Sequence, residues 1–456
     1  MVNRELLQKY DRPGPRYTSY PTAPEWTKAY GPEAYEAALR QASTSGDPLT
    51  LYFHIPFCRA RCSYCGCTTV ITQRPERADE YIRRLKREME LVSVSLGSRR
   101  KVAQLHWGGG TPTYLSPDQI DRLYAAISDH FEIDRAGEIA IEVDPRVTTV
   151  EQLQLLRRLG FNRISLGVQD LTPKVQEAIG RDQTAEQTET LFRHCRELGF
   201  AGINIDLIYG LPYQTVENFA ATMAEVIRMG ADRIAVYSFA YLPDVKAHQR
   251  LISPDTLPSP ATKYDLFATV VEKFLEAGYV QIGMDHFARP EDELARSLAE
   301  GRLYRNFMGY TTRSTSDSIG FGMSAISEIS GTFAQNLSKL DAYGEAIDAG
   351  RLAVYRGWRL TPDDLIRKQA ILSLMCNFML SYVAMDGCFG IDSRQYFSRE
   401  MDQLTPFIED GFLTVHEDGV TVLPAGRIFV RNIAMVFDAY LPKDGKGKAP
   451  VFSRTI

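Results

Sequence analysis

The chain of 456 residues has no uninterrupted apolar run long enough to span a bilayer. Its opening residues, Met1-Val2-Asn3-Arg4-Glu5, lead into polar sequence without the apolar core of a secretory signal. It has no excess of basic charge. Lys and Arg number 52 against 57 Asp and Glu, a net charge of −5, so no global basic surface argues for nucleic acid. Cysteines are few, seven in all, and a disulfide scaffold belongs to small secreted chains. There is no low-complexity tract. The expectation is a cytoplasmic protein with reduced thiols, without a membrane span and without a nucleic-acid partner. What is present is ordinary for a globular protein, with 44% hydrophobic and 24% charged residues. The length admits two domains, or one large domain with an appendage.

Four of the seven cysteines fall within ten residues, Cys58-Arg59-Ala60-Arg61-Cys62-Ser63-Tyr64-Cys65-Gly66-Cys67. They follow the apolar run Leu51–Ile55 and a Pro56-Phe57 break. The spacing C-x3-C-x2-C supplies three thiolates from one loop. An iron–sulfur cube needs four ligands, so three cysteines leave one iron open to a non-protein ligand. Zinc is the plainer alternative, but structural zinc sites pair two separated knuckles and no second knuckle exists here. A dithiol redox centre would need only Cys62 and Cys65, with no thioredoxin-like unit around them. The motif resembles that of the radical S-adenosylmethionine enzymes. In that family the open iron chelates S-adenosylmethionine, and an electron from the cluster cleaves it to methionine and a 5′-deoxyadenosyl radical.

Residues 1–50 read as an N-terminal arm or lid, with a Pro-rich strap, Arg12 to Pro21, and a helix over Pro32–Ala42. From residue 51 strand-like runs alternate with amphipathic helices. The runs are Leu51–Ile55, Gln104–Trp107, Glu138–Val143, Arg163–Val168, Gly202–Ile208 and Arg233–Phe239. Ile82, Leu85, Met89 and Val92 share one helical face, as do Ile120, Leu123 and Ile127. Thr149…Gln152 and Thr184…Gln187 have capping-box spacing. Gly160, Gly199, Gly230 and Gly278 stand where helices stop. Six βα units predict an α/β fold with a parallel sheet and right-handed crossovers. A closed barrel needs eight, so the expectation is an incomplete, open-sided (β/α)6 barrel over residues 51–355, with an extension. Tyr279–Arg289 reads as a further strand, and the stretch around Arg305–Tyr310 as irregular. Beyond residue 356 the pattern is mostly helical. Leu365, Leu372, Cys376 and Met379 form its stripe, and a hairpin lies at Gly411–Val422. Together these suggest a small winged-helix-like C-terminal domain.

In parallel βα folds, sites lie beyond the C-terminal strand ends. There the chain places the cysteine loop, Gly108-Gly109-Gly110-Thr111-Pro112, Glu142-Val143-Asp144-Pro145, Gln169-Asp170, Asp206 and Ala240. The glycine run lets backbone approach a ligand, though it lacks the features of a nucleotide-phosphate loop, and alone it is equally a tight turn. Glu142 is either a solvated rim carboxylate or a partner for a ribose hydroxyl or ammonium. Asp206 lies in an apolar strand, where a carboxylate is costly unless paired or ligand-bound. Gln169 and Arg181 are weak signals by themselves, and an ordinary surface residue stays an open reading of Arg181. Cys195 and Cys376 read as core thiols, and Cys388 is uninformative. His54 shares a strand face with Tyr52; packing and function are both open. Cys67, two residues past the third candidate ligand, is ill placed as a fourth. Beside a radical centre it could donate or relay a hydrogen.

The motifs Tyr52-x-His54-Ile55-Pro56-Phe57-Cys58-x3-Cys62-x-Tyr64-Cys65-Gly66-Cys67, His106–Pro112, Glu142–Pro145, Asn204–Pro212 and Gly283–Phe287 together resemble the oxygen-independent coproporphyrinogen III oxidase family, also called coproporphyrinogen dehydrogenase. The resemblance runs from Tyr10 to Arg454. It implies radical S-adenosylmethionine oxidative decarboxylation of two propionates of coproporphyrinogen III to vinyls, giving protoporphyrinogen IX for haem synthesis. It implies one 4Fe-4S cluster on Cys58, Cys62 and Cys65, and two S-adenosylmethionines. Tyr52, Gly109, Glu142 and Ile326 would contact the first. Tyr64, Gly110, Thr111, Gln169, Arg181, Asp206 and Ala240 would contact the second. Arg16 matches a position associated with substrate, and Cys67, Tyr52 and His54 are the candidates for catalysis. An electron donor of flavodoxin or ferredoxin type and a monomeric state are expected. Haem-chaperone relatives keep the three ligand cysteines but resemble a pattern with an aromatic two residues after the third. Cys67 and the Gly14–Tyr20 strap favour the dehydrogenase.

Overall fold

The computed structural model describes residues 4–312, 317–442 and 452–455. The chain divides into two compact units, each discontinuous in sequence. The larger joins Thr27–Ser259 to Thr315–Arg359, and the smaller joins Met1–Trp26, Pro260–Ser314 and Leu360–Ile456. The segment read as an N-terminal arm therefore contributes to both.

The larger unit carries the parallel strands β1 (Leu49–Ile55), β2 (Lys101–Gly109), β3 (Glu132–Val143), β4 (Arg163–Gln169), β5 (Gly202–Tyr209) and β6 (Arg233–Ser238). They lie side by side in chain order, each parallel to the next. Crossover helices α1 (Glu76–Leu96), α2 (Pro117–His130), α3 (Val150–Leu159), α4 (Ala185–Glu197) and α5 (Val216–Met229) join them. This is the expected open α/β barrel.

Its local causes are visible in the sequence. Ser116, Thr149, Thr184 and Thr215 each accept from the backbone three residues on, while Gln119, Gln152, Gln187 and Asn218 reach back, closing four capping boxes. Gly160 and Gly230 end α3 and α5 in left-handed conformation. The α1 stripe of Ile82, Leu85, Met89 and Val92 is buried, as are Ile120, Leu123 and Ile127 of α2. Along the strands, period-two alternation sorts side chains. Leu51, Phe53, Leu105, Trp107, Ile139, Ile141, Leu166 and Ile205 fill the core. Between them stand Tyr52, His54, His106, Glu142, Ser165 and Asp206, a polar set on alternate positions.

Past β1 the sheet continues into a stretch the sequence had left irregular. β7 (Ser318–Phe321) pairs parallel with β1. β8 (Ile326–Ile329), β9 (Thr332–Asn336) and β10 (Val354–Arg359) follow as an antiparallel meander. These strands are short, and β7 carries Gly320, where an added methyl would run into the Ile326 backbone. Close backbone approach, and not apolar alternation, specifies them.

In the smaller unit the strand expected at Tyr279–Arg289 is a hairpin, Val280–Gly283 against His286–Ala288. Its turn puts Met284 at φ 43°. A second hairpin pairs Tyr304–Asn306 with Gly309–Thr311. The helix Pro362–Asn377 precedes a three-stranded sheet of Met379–Ser381, Gly419–Val422 and Leu413–His416. The helical stripe proposed there needs correction. Leu372 and Cys376 are buried, but Leu365 is exposed and Met379 lies exposed in a strand. The buried helix face is Ile366, Ala370, Ile371, Leu374 and Met375.

Candidate active site

The cysteine loop leaves β1 after Pro56. Phe57–Cys58 pairs in parallel with Val70–Ile71 and closes the base of the loop. A short 3-10 turn, Ala247–Leu251, holds the far side. Lys246 Nζ donates to the Gly66 carbonyl at 2.6 Å, His248 Nε2 lies 2.7 Å from the Cys65 carbonyl, and Gln249 Nε2 donates to the Tyr64 carbonyl at 3.1 Å. Three successive carbonyls thus each meet one side chain from this turn or from Lys246, which precedes it. None of the three was anticipated from sequence, because a Lys, a His and a Gln in a loop carry no periodic signal.

Beyond the strand ends opens a cavity of about 710 Å³. It is lined by Cys58, Cys62, Cys65 and Cys67, together with Tyr64, Gly109, Gly110, Thr111, Glu142, Gln169, Arg181, Asp206 and Ala240. The structure therefore gathers most of the sequence candidates around one space. Ile326 is on β8, two strands from β1, and does not line it. Arg16 belongs to the smaller unit, where its guanidinium meets Asp285 at 2.5 Å. Tyr52 and His54 stand beside the glycine turn and not on the cavity wall. Tyr52 Oη and His54 Nδ1 are 3.0 Å apart, and His54 Nε2 lies 2.9 Å from the Thr68 carbonyl. Cys195 and Cys376 are buried core thiols, as expected.

Each glycine of the triplet faces a different neighbour. A methyl on Gly108 would meet the Glu142 carboxylate at 2.7 Å, one on Gly109 the His54 ring at 2.7 Å, and one on Gly110 the Pro56 carbonyl at 2.6 Å. Gly109 also has φ 117°, a conformation that favours glycine. The turn it makes lets its N–H donate to Glu142 at 3.0 Å, while His106 Nε2 stands 3.3 Å from the other carboxylate oxygen. Burial opposes ionisation of Glu142, but His106 and the Gly109 N–H win and hold its carboxyl below the usual range. Asp206 lies within β5, short of the strand end, and accepts from Ser165 at 2.8 Å and Asn204 at 2.9 Å. Burial prevails there and pushes it up to about 6.

Arg181 is buried, not a surface residue. Asp144 binds Arg146 at 2.6 Å and Arg181 at 3.3 Å. The two guanidinium groups reach the Cys62 sulfur, at 3.6 Å and 3.8 Å. Arg146 escaped the sequence reading, although its neighbour Asp144 lay in a flagged motif. Burial pushes the Cys58 thiol up to about 11. Hydrogen bonding from Cys67 brings Cys65 down to about 6. Cys67 itself is exposed.

Three thiols on one loop, with cations at one of them, fit the donor set of an iron–sulfur cube. Among the described residues no three His, Cys, Asp or Glu side chains gather closely enough for a single metal ion. A cube spreads its thiolates over separate irons.

An open parallel barrel with a three-cysteine loop at its C-terminal rim defines a radical S-adenosylmethionine protein. The sequence matches the radical SAM superfamily model over residues 52–226 and the HemN C-terminal domain over 360–429. It is 45% identical over 454 residues to the oxygen-independent coproporphyrinogen III oxidase of Pseudomonas aeruginosa, covering 99% of this chain and 98% of that one. The Escherichia coli K12 enzyme of the same name is 45% identical over 451 residues, with the same coverage. The solved structure of coproporphyrinogen III oxidase (HemN) from Escherichia coli, a radical SAM enzyme, superposes with TM-score 0.92 at 43% identity, covering 97% of this chain and 99% of that one. The chain belongs to the oxygen-independent coproporphyrinogen III oxidase family, whose superfamily uses a 4Fe-4S cluster and S-adenosylmethionine. Among the described residues no helix is long and apolar enough to cross a membrane.

Proposed function

We propose that the chain oxidatively decarboxylates two propionates of coproporphyrinogen III to vinyl groups, giving protoporphyrinogen IX. The observation that carries the reading is the convergence of the loop cysteines, the glycine turn and the carboxylates of Glu142 and Asp206 on one cavity, in a chain of this family. For each propionate one β-hydrogen is removed, carbon dioxide leaves, and one electron passes to an acceptor. What the bound cluster and S-adenosylmethionine supply is a carbon radical able to take that hydrogen.

Cys58, Cys62 and Cys65 are assigned the cluster irons. Their thiols must lose protons to bind, which Cys65 is already disposed to do. Glu142, ionised and beside the Gly109 turn, is placed to accept from an ammonium. The cavity suits two S-adenosylmethionines by the residues that line it. Gly109 and Glu142 serve the first, with Tyr52 and Ile326 assigned to it through the family pattern. Tyr64, Gly110, Thr111, Gln169, Arg181, Asp206 and Ala240, all on the cavity wall, serve the second. Tyr52 and His54 hold the floor of the glycine turn. Cys67, on the same wall and exposed, is assigned hydrogen donation or relay. Arg16 is assigned to the substrate. The reading includes a cytoplasmic monomer that draws electrons from a flavodoxin- or ferredoxin-type donor.

The test is anaerobic. The protein is reconstituted with iron and sulfide, reduced, and given S-adenosylmethionine with coproporphyrinogen III, and 5′-deoxyadenosine and tetrapyrroles are measured together. Decarboxylated product with matching deoxyadenosine is expected. Deoxyadenosine without porphyrin product would move the substrate elsewhere. Neither product, with stable haem binding, would favour a haem carrier.

A further inference from the structure

The substrate class proposed above is a multiply charged carboxylate, so the protein must offer cations to it. Arg16 is already neutralised by Asp285. Asp285 also holds the His286 ring at 2.9 Å. Despite its burial, Arg16 and His286 keep Asp285 well below the usual carboxylate range.

A second cation near Arg16 is Arg305, on the hairpin of the smaller unit. It stands opposite Tyr310 in the strand register, with its guanidinium 4.6 Å from the centre of the Tyr310 ring. Tyr310 packs edge-to-face on His286 at 5.2 Å. Tyr310 in turn lies so close to Gly283 that an added methyl would meet its hydroxyl at 2.2 Å. Arg16, Asp285, His286, Arg305 and Tyr310 are thus one cluster, built on the Met284 turn with its positive φ. Burial, together with the charges of Arg305 and Arg16, draws His286 below its ordinary value despite Asp285. Around that ring the cluster holds two guanidinium groups, Arg16 and Arg305, and one carboxylate, Asp285.

Arg305 is only 4% exposed, and its Nε and Nη1 are buried without any hydrogen-bond partner among the described residues. Leaving charged donors buried and unsatisfied is expensive. Stacking on a tyrosine offsets part of this cost but satisfies no N–H. Such an exception in a native fold calls for an explanation. Arg16, whose side chain keeps 29% exposure, marks the edge at which solvent reaches the cluster.

We propose that Arg305 is a carboxylate-binding site, at which an unpartnered guanidinium N–H donates to one propionate-type carboxylate of the substrate beside the Arg16–Asp285 pair. The assignment rests on the porphyrinogen reading above. A guanidinium-to-carboxylate hydrogen bond is charge-assisted, so it would select acid-bearing side chains.

The test uses the full-length holoprotein under anaerobic conditions, with coproporphyrin III, the stable oxidised form bearing the same four propionates, as the probe. Binding is followed by fluorescence titration and melting temperature is recorded without ligand. Arg305→Gln is expected to weaken coproporphyrin III binding about tenfold, the value of a charge-assisted hydrogen bond. Its ligand-free melting temperature should hold or rise, because an uncompensated buried charge has been removed. Arg305→Lys should recover part of the affinity. A ligand-free melting temperature that falls in Arg305→Gln would mean that the guanidinium is a structural group, and would overturn the assignment. So would equal affinities in the wild type and Arg305→Gln, while leaving the porphyrinogen reading intact. A wild-type protein that binds no coproporphyrin III would overturn both.

Discussion

Gly110 differs from its two glycine neighbours in what an added methyl would strike. Gly108 faces a carboxylate and Gly109 an imidazole, both side chains that can turn, whereas Gly110 faces the Pro56 carbonyl at 2.6 Å and the Phe57 carbonyl at 2.9 Å. Backbone cannot step aside cheaply. Gly110→Ala is expected to cost about 1–3 kcal/mol of stability by overpacking, with weakened S-adenosylmethionine binding; anaerobic thermal unfolding and equilibrium dialysis would check both. An unchanged melting temperature would show that the turn is looser than this. At Cys67 the expectation is opposite in kind. Cys67→Ser should keep its iron content and lose product formation by about a hundredfold or more, the scale of a lost proton or hydrogen relay. Iron lost from that variant would make Cys67 a ligand instead. Residue types legible in the sequence were those whose chemistry is out of place where they stand: thiols in a short loop, Asp206 in an apolar strand. Arg181 was legible only through the family resemblance, and Arg146 not at all. An arginine is unremarkable in a sequence, and only the fold shows both of them against Asp144 and the Cys62 sulfur.

At the scale of elements, the six parallel strands and their helices were readable because alternation, capping boxes and helix-ending glycines agree with one another. The meander β7–β10 was not, since its strands are four to six residues long and rely on close backbone approach. The turn at Ala247–Leu251 was equally silent, yet it braces the cysteine loop. Gln249 is its anchor: buried, it accepts from the Leu242 N–H at 2.5 Å and donates to the Tyr64 and Ala240 carbonyls, each at 3.1 Å. Gln249→Ala leaves those groups without partners, a loss of about 1–3 kcal/mol. If the brace holds the loop closed over its irons, a chelator should strip iron from this variant about tenfold faster than from the wild type. Equal stripping rates would show that the loop holds itself.

At the scale of the whole molecule, stability should depend on pH through Glu88. It is buried on α1 and receives Tyr343 Oη at 2.7 Å, the Gly322 N–H at 2.8 Å and Asn336 Nδ2 at 2.6 Å. Burial nonetheless pushes its carboxyl from an ordinary 4.5 up to about 7. Below the lower value both folded and unfolded chains hold the proton. Between the two values the unfolded chain binds fewer protons, so stability falls as pH rises, and the loss is complete above the folded value. Melting temperature should therefore decline from pH 5 to pH 8, and Glu88→Gln should flatten that slope while lowering stability overall. A variant with the wild-type slope would place the titration elsewhere. A different consequence belongs to the order in which the chain is made. The strap bearing Arg16 is knitted to residues 452–455: the Gly14 N–H donates to the Ser453 carbonyl at 3.0 Å, the Thr455 N–H to the Arg12 carbonyl at 2.9 Å, and buried Arg431 bridges the Pro15 and Arg454 carbonyls. The larger unit has all its residues once position 359 is synthesised. A ribosome halted beyond that point would leave the strap with the Asp285 contact of Arg16 but without its C-terminal partners, so pairing of Arg12 and Gly14 with Thr455 and Ser453 reports that translation has run through residue 455.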